Sequence, residues 1–316
     1  MRPDELVTVA AWLYYEGGLK QEEVARRLGV SRVKVARLLA QARAEGVVQF
    51  VITRPLPEPF RLAEALCARY GLEAAVVVPS AGSAEATLDA LGAAGADYLA
   101  SRLEPGLRLG LGWSSTARRL APYLRRLRPV KDCTVVELAG SFLGQANPYA
   151  ISGPLAAALG CGLEALPVPV LVESPAARAA LLAEGRIAAA LAAGRECDLA
   201  VVGIGQVGPE STTVRTGMVA PEEMALIEKA GAVGDVLMRF FDTAGRPVQT
   251  PLDERVLAVG WDDFLQIPQR VAMAAGAAKL PAIRAALRGG LFQALITDAP
   301  TAARLLEDRP TPAPGG

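Results

Sequence analysis

The 316-residue chain contains no histidine. This absence excludes Ser-His-Asp and Cys-His nucleophile systems, metals bound by histidine, and histidine general bases. Cysteine is also scarce, and its four copies form no CxxC pair, which favours buried thiols over a metal site. The four are Cys67, Cys133, Cys161 and Cys197. An enzyme made from this sequence would depend on carboxylates, lysine, tyrosine or the backbone.

The chain also lacks net charge, since 33 basic side chains balance 33 acidic ones. Residues 1–55 nevertheless carry nine basic and six acidic side chains, an excess that suits a nucleic-acid-binding module on a neutral body. No export signal opens the sequence. The longest charge-free run, residues 138–163, holds two prolines and five glycines, which a lipid-facing helix would not carry together. We therefore expect a cytoplasmic protein that does not contact a membrane.

One stretch, residues 21–40 (QEEVARRLGVSRVKVARLLA), has the pattern of two helices joined by a tight turn. Gly29 lies where the turn needs a residue that tolerates positive φ. Ser31 is a natural N-cap for the second helix. Apolar residues then recur at intervals of three and four, which predicts a buried stripe. The stripe consists of Val35, Leu38, Leu39 and Ala42.

The opposite face of the second helix is basic. From Arg26 to Arg43 the chain has six basic residues and no acidic one. The alternative is an ordinary helical hairpin with a solvated face. The small residue Ala25 at the helix crossing, the turn residue Gly29, the N-cap Ser31 and the apolar spacing together favour a helix-turn-helix that reads the DNA major groove. The predicted DNA-contacting residues are Gln21, Ser31, Arg32, Val33, Lys34 and Arg37.

The pattern around this motif predicts the domain organisation. A first helix over Asp4–Glu16 completes a three-helix core, and Val47–Thr53 has the composition of a strand, as in a winged helix. We expect a helix-turn-helix domain over residues 1–54 and a proline-rich linker over 55–59. A ligand-binding and oligomerisation domain follows over 60–307, with a disordered tail over 308–316.

Strands and helices alternate in the larger domain. Continuously apolar strands separated by helices predict a mainly parallel, doubly wound α/β sheet. In such a sheet, ligands bind at the carboxyl ends of the strands. The predicted strands cover 74–79, 107–113, 134–140, 199–205, 271–276 and 294–298, and the predicted helices include 60–70, 84–102, 116–127 and 148–159.

Two glycine-containing loops follow these strands. Residues 110–116 (GLGWSST) lead through glycine and hydroxyl residues into a helix, which favours either a phosphate site or an ordinary helix cap. Residues 203–208 (GIGQVG) match GxGxxG, but no helix is predicted at the third glycine and no acidic residue ends a following strand. NAD is therefore not expected, and the sequence predicts no cofactor. We interpret these glycines as positions where the backbone approaches another ligand.

Two further loops carry charged candidates. Lys279, one of only five lysines, lies beyond a strand end; it is either a ligand contact or a solvated surface lysine. Asp235 ends the glycine-rich stretch 231–235, ahead of a short predicted hairpin, where it is either a ligand contact or a structural cap.

Nearly the whole chain, from about residue 7 to 306, resembles the SorC/DeoR-type sugar-responsive bacterial transcriptional regulators. The motifs that carry this resemblance are LYYEGGLKQEEVARRLGVSRVKVARLLAQARAEGVV, GLGWSST, GQAN, VVGIG, GAVGDVLMRFFDTAGRPV and IPQRVAMAAGAAKLPAIRAALRGGLFQALITDAPTAARLL. The resemblance implies an effector domain similar in fold to sugar-phosphate isomerases but without their activity. It also implies a phosphorylated-sugar effector, operator DNA as a partner, and a homodimer or homotetramer.

The resemblance further implies the effector-binding residues. Ser114–Thr116 match the family's phosphate loop, Lys279 its phosphate-binding lysine, and Arg255 a basic residue near the phosphate. The complete predicted set is Gly112, Ser114, Ser115, Thr116, Gln145, Asn147, Gly203, Gly205, Asp235, Arg255, Gly276 and Lys279. We predict a regulator rather than an enzyme. The alternative is a sugar-phosphate isomerase-like enzyme attached to a DNA-binding domain, with Asp235 or Lys279 as proton carrier.

Overall fold

A computed structural model describes residues 2–49, 54, 56–142 and 146–307, except for the side chains of Pro3 and Asp4. It divides the chain into two compact units, Met1–Leu56 and Pro57–Gly316. Gln145, the predicted tail and most of the predicted wing strand lie outside the described residues.

The N-terminal unit contains three helices: α1 (Pro3–Tyr15), α2 (Gln21–Leu28) and α3 (Arg32–Ala44). The predicted stripe of α3 is buried, and it packs against Val24 and Ala25 of α2. On α1 the buried residues are Val7, Ala10, Ala11 and Leu13. The hydrophobic spacing thus specifies a three-helix core.

The turn between α2 and α3 follows the sequence closely. Gly29 has φ 65° and its N–H caps the end of α2. The Ser31 hydroxyl accepts a hydrogen bond from the Lys34 N–H at 3.2 Å, which starts α3. At the other end of α3, the Val48 N–H donates to the Ala42 carbonyl at 3.2 Å, after Gly46 with φ 73°. Val47–Gln49 are therefore not the predicted strand, because this backbone N–H closes the helix end instead of joining a ladder.

The second unit begins with α4 (Glu58–Tyr70), which starts inside the segment predicted as a linker. Its remaining strands and helices are interspersed along the chain. They are β1 (Ala74–Val78), α5 (Ala84–Ala100), β2 (Arg108–Leu111), β3 (Thr134–Glu137), α6 (Ser152–Leu159), β4 (Gly162–Glu164), α7 (Pro175–Ala183), α8 (Gly185–Ala193), β5 (Leu199–Gly203), β6 (Gly205–Gln206), α9 (Thr212–Arg215), α10 (Pro221–Lys229), β7 (Gly234–Val236), β8 (Arg239–Phe241), α11 (Trp261–Gln266), β9 (Gln269–Met273), α12 (Leu280–Arg288), β10 (Ala294–Asp298) and α13 (Ala299–Glu307).

Seven of these strands form one parallel sheet in the order β1-β10-β9-β5-β2-β3-β4. Successive strand residues face opposite layers: Val77 belongs to the hydrophobic cluster that includes buried residues of α4, α12 and α13, whereas Val78 belongs to the cluster that includes buried residues of α5 and α6. The predicted doubly wound sheet is thus confirmed. A separate antiparallel sheet, β6-β7-β8, contains a hairpin whose first strand starts at Gly234, inside the glycine-rich stretch, and not after that stretch as predicted.

Two predicted helices differ from the structure for local reasons. Residues 116–127 were expected to form an α-helix, but Ala117–Arg126 is a 3₁₀ helix. Pro122 lies inside it, lacks an N–H and clashes with the carbonyl four residues earlier. The helix expected from residue 148 begins at Ser152, because the Asn147 side chain accepts from the Tyr149 N–H at 2.9 Å and holds a turn there.

Within residues 2–49, 54, 56–142 and 146–307, no helix combines the length and the apolar character needed to cross a bilayer.

Candidate functional site

The N-terminal half of α3 presents the predicted DNA-contacting residues to solvent. Arg32, Lys34 and Arg37 are exposed, as is Ser31, whereas Gln21 at the start of α2 is partly buried. The Arg32 guanidinium lies 3.6 Å from the Glu22 carboxylate, and both side chains are mostly exposed. Such a contact contributes little stability and leaves the arginine available to another anion.

Val33 is an unusual member of this surface. Its side chain is 65% exposed although it is β-branched and apolar. The helix does not need it for packing, since the buried stripe lies on the other face. An exposed apolar residue between two cations suits contact with a thymine methyl group in the major groove.

In the second unit, a cavity opens at the point where the strand order reverses. From β2 the chain adds β3 and β4 on one side, and β5 then returns to the other side of β2. The loops after β2 and β5 therefore separate there, which is where ligands bind in sheets of this kind. The lining residues are Gly112, Trp113, Ser114, Ser115, Ala139, Val202, Gly203, Ile204, Gly205, Thr212, Thr213, Asp235, Leu237, Met238 and Lys279.

The loop after β2 contributes Ser114 and Ser115 to the cavity lining. The Ser114 hydroxyl accepts from the Ala117 N–H at 2.8 Å, and its carbonyl accepts from the Arg118 N–H at 3.0 Å. Within the part of the chain that the structure describes, the Ser115 N–H donates no hydrogen bond. Thr116 is only 3% exposed and does not line the cavity, so its predicted ligand contact is not supported.

Three predicted glycines of the cavity lining lie where neighbouring side chains pack directly against the backbone. A Cβ on Gly203 would lie 2.4 Å from the Ser114 Cβ, and one on Gly205 would lie 1.8 Å from Asp235 Oδ1. A Cβ on Gly112 would lie 2.6 Å from the Leu237 Cδ2. Gly203 and Gly205 both line the cavity, so their approach to a ligand stays a prediction; their lack of a side chain also lets Ser114 and Asp235 pack against them. Consistent with the rejection of NAD, the helix after Gly208 starts only at Thr212 and is four residues long.

Asp235 and Lys279 place two opposite charges in the cavity. Burial raises the pKa of Asp235 to about 6, although the Met238 N–H bond and the Lys279 charge act in the opposite direction. Burial lowers the pKa of Lys279, and the Asp235 charge opposes that shift. Both side chains line the cavity and are desolvated, so Lys279 is not a fully solvated surface lysine, and Asp235 lines the cavity as well as accepting from the Met238 N–H.

The turn between β7 and β8 forms a strained wall of the cavity. Leu237 and Met238 both have positive φ, at 54° and 62°, in a two-residue hairpin turn that normally prefers Asn-Gly. Asp235 Oδ2 accepts from the Met238 N–H at 3.2 Å and stabilises the turn. Backbone strain of this kind concentrates at ligand sites. Sequence reasoning missed this turn because neither residue is a usual turn former.

Trp113 separates this cavity from a second, smaller compartment. Its indole N–H donates to the Gly140 carbonyl at 2.8 Å, and its ring stacks on Tyr149 with ring centroids 6.4 Å apart. Asn147 lines the second compartment beside Trp113, together with Glu137. The Glu137 carboxylate accepts from the Ser152 hydroxyl and from the Leu166 N–H.

The structure does not bring every predicted residue to the cavity. The Arg255 guanidinium instead pairs with Glu223 of α10 and does not line the cavity, so its predicted role near a phosphate is not supported. Gly276, with φ 106°, lies in a separate groove, where its N–H donates to the Thr301 hydroxyl at 2.9 Å. Thr212 and Thr213 line the cavity but follow a loop with no distinctive sequence signal.

Known proteins similar to this chain are regulators. The Sugar-bind family, described as a sugar-binding domain, matches residues 54–307. The erythritol catabolism regulatory protein EryD of Brucella abortus (strain 2308) is 34% identical over 307 residues, 96% of this chain and 96% of EryD. The transcriptional regulator LsrR of Enterobacter sp. (strain 638) is 33% identical, over 96% of this chain and 93% of LsrR. The crystal structure of full-length sorbitol operon regulator SorC from Klebsiella pneumoniae has a TM-score of 0.73 and 28% identity, covering 96% of this chain and 99% of SorC.

Proposed function

Because the chain belongs to the SorC/DeoR-type family of sugar-responsive transcriptional regulators, we propose that a phosphorylated sugar binds its cavity and changes the affinity of α3 for operator DNA. Regulation of DNA binding by a sugar-type effector follows from the family. The phosphate group on the effector and the residues that bind it are the parts of the proposal that go beyond the family.

One observation supports a phosphate group on the effector: Ser114, Ser115 and Lys279 line a single cavity although they come from distant parts of the chain. Hydroxyls and a backbone N–H before a helical segment provide directed donors, and a lysine provides a compensating point charge. Burial lowers the pKa of Lys279, and an incoming anion would favour the charged form of the amine. A neutral sugar would gain none of this electrostatic stabilisation.

The remaining polar lining suits the hydroxyl groups of a sugar. Asp235, Thr212 and Thr213 line the same cavity, and Asp235 is an acceptor when ionised. Trp113 and Met238 give the lining its apolar part. We propose that the cavity binds its ligand without converting it, as the regulator names of the relatives suggest.

On the DNA side, we propose that Arg32 and Arg37 contact bases or phosphates and that Val33 contacts a thymine methyl. Their exposure on one end of α3 supports this assignment.

Because one helix-turn-helix covers only half a site, we also propose that the protein acts as a homo-oligomer. Sedimentation analysis at the concentration used for DNA binding tests this, and a monomeric species that binds DNA with full affinity would contradict it.

A thermal-shift screen with matched ligands tests the phosphate. Erythritol and sorbitol, the sugar alcohols named in two relatives, and the sugar ribose would each be compared with their phosphate esters, with inorganic phosphate as a further ligand. We expect at least one ester to raise Tm more than its free sugar does. Equal shifts within every pair would contradict the phosphate site. NMR of the same mixtures measures turnover, and product formation would favour the alternative of a sugar-phosphate isomerase-like enzyme.

A further inference from the structure

Two of the four thiols lie side by side at one edge of the large sheet. Thr134 of β3 pairs with Gly162 of the edge strand β4, and Cys133 and Cys161 immediately precede them. The Gly162 N–H donates to the Cys133 carbonyl at 3.3 Å, so the alignment extends to the cysteines. Both side chains pack on the same hydrophobic cluster and therefore lie on the same face of the sheet.

This placement is compatible with a disulfide. Neighbouring strands are about 4.8 Å apart, and the Cα atoms of a disulfide are usually about 4.4–6.8 Å apart. We propose that Cys133 and Cys161 form a dithiol that a peroxide oxidises reversibly to an intramolecular disulfide. The three-residue edge strand β4 has a neighbour on one side only, so it can adjust to the bond.

The two thiols have different exposure, which assigns their roles. Cys133 is buried, whereas Cys161 is partly exposed and can meet an oxidant. Burial and the contact with Cys161 raise the pKa of Cys133 to about 12, so Cys133 stays protonated. The Cys161 thiol loses its proton to water and its sulfur attacks the peroxide; the O–O bond breaks, Cys161 becomes a sulfenic acid, and the leaving oxygen takes a proton from water to give the alcohol or water. The Cys133 sulfur then attacks the sulfenic sulfur, the S–O bond breaks, and the hydroxide leaves as water with the proton of the Cys133 thiol.

The other two cysteines provide internal controls. Cys67 lies on α4 and Cys197 precedes β5, which β2 separates from β3 in the sheet. Burial raises the pKa of Cys67 and raises that of Cys197 to about 12. Neither position is aligned with a second cysteine across a strand pair.

The disulfide would restrain the segment that carries the second compartment. Glu137, Ala139, Asn147 and Ser152 all lie between the two cysteines, and all four line that compartment. Closing this loop restricts the unfolded chain and stabilises the unit. Oxidation would therefore stiffen a wall next to Trp113 without occupying the proposed phosphate site.

Peptide mapping of the full chain tests the proposal directly. Trypsin releases residues 132–178 as one peptide with both Cys133 and Cys161, and this peptide contains no Met or Trp. Cys67 and Cys197 fall in the separate peptides 62–69 and 196–215. After hydrogen peroxide treatment and maleimide labelling in denaturant, we expect peptide 132–178 to lose two hydrogens and take no label, while the other two peptides remain labelled. Dithiothreitol should restore two labels to 132–178.

Two results would overturn the proposal. One is a peptide 132–178 that carries two labels after the same peroxide treatment has oxidised Met218, which is partly exposed. The other is Cys161 converted to sulfinic acid, or linked to another chain, while Cys133 is free. As a second readout, oxidation should raise Tm by several degrees in the parent and in Cys67→Ser, but not in Cys161→Ser. An equal rise in Cys161→Ser would also overturn the proposal. Because Cys161 is partly exposed, its replacement avoids the folding risk of altering Cys133.

Discussion

The two units display their candidate functional residues in opposite ways. In the N-terminal unit, Arg32, Lys34 and Arg37 are exposed and lie on one regular helix whose other face forms the core. In the second unit, Ser114, Asp235 and Lys279 are partly or wholly desolvated and come from three separate elements. The exposed residues of α3 do not contribute to the core of their unit. The cavity residues, in contrast, are part of the packing of theirs.

This difference predicts different costs of mutation. Removing an exposed cation from α3 removes a contact with DNA and changes little else, because surface substitutions usually alter stability by less than about 0.5 kcal/mol. Changing a cavity residue alters both ligand binding and the stability of the unit, since desolvated charges and strained turns are already present there.

The largest expected effect is on DNA affinity. The double replacement Arg32→Ala and Arg37→Ala should weaken operator binding by at least about 2 kcal/mol, since one bidentate base contact contributes about 1–3 kcal/mol. Fluorescence anisotropy with a duplex selected by the parent protein measures this. Arg43→Ala, in the last turn of the same helix, is the matched control for charge. If the double variant binds like Arg43→Ala, α3 is not the helix that reads DNA.

The second effect concerns pH and Asp235. A carboxyl with a raised pKa binds more protons in the folded than in the unfolded state between its ordinary value of 3.8 and about 6. Stability therefore falls as pH rises through that window. Relative to Asp235→Asn, the parent should lose up to about 3 kcal/mol of unfolding free energy from the acidic to the neutral end. Urea unfolding across the window measures the difference, and a constant offset would contradict the proposed desolvation of Asp235.

A smaller effect is expected from Gly205→Ala. The added Cβ would overlap Asp235 Oδ1, so the carboxylate must move, at a cost of about 1–3 kcal/mol in unfolding free energy. Gly185→Ala is the control, because a Cβ there meets nothing within 4 Å. Chemical denaturation compares the two variants. Equal stability would mean that Gly205 is not required for the close approach of Asp235.

The comparison between the units also explains what the sequence could predict. On α3, a period of three to four residues separates the core face from the solvent face, so the stripe, Gly29 and Ser31 were placed correctly. Alternation of apolar strands and helices likewise predicted the parallel sheet. The α3 features depend on interactions between residues close in sequence, whereas the sheet pairs strands as distant as β1 and β10, so the local pattern predicted the class of the sheet and not its strand order.

The cavity was only partly predictable because tertiary packing assembles it. Loops at strand ends pointed to Ser114, Asp235 and Lys279, which do line it. Thr116 is instead buried under its loop. Arg255, inferred from resemblance alone, has a carboxylate partner elsewhere. No local pattern distinguishes these outcomes, since each depends on which distant side chain occupies the neighbouring space.

The central claim is that an effector bound in one unit controls DNA binding by the other, and Lys279→Ala tests it most directly. Operator binding would be measured by anisotropy with and without the sugar phosphate that gives the largest thermal shift, beside Lys229→Ala, an exposed lysine in the same unit. We predict normal effector-free binding and a response weakened at least about tenfold, or about 1.4 kcal/mol of lost charge-assisted contact. Lys229→Ala should behave like the parent. A full response in Lys279→Ala would contradict the account.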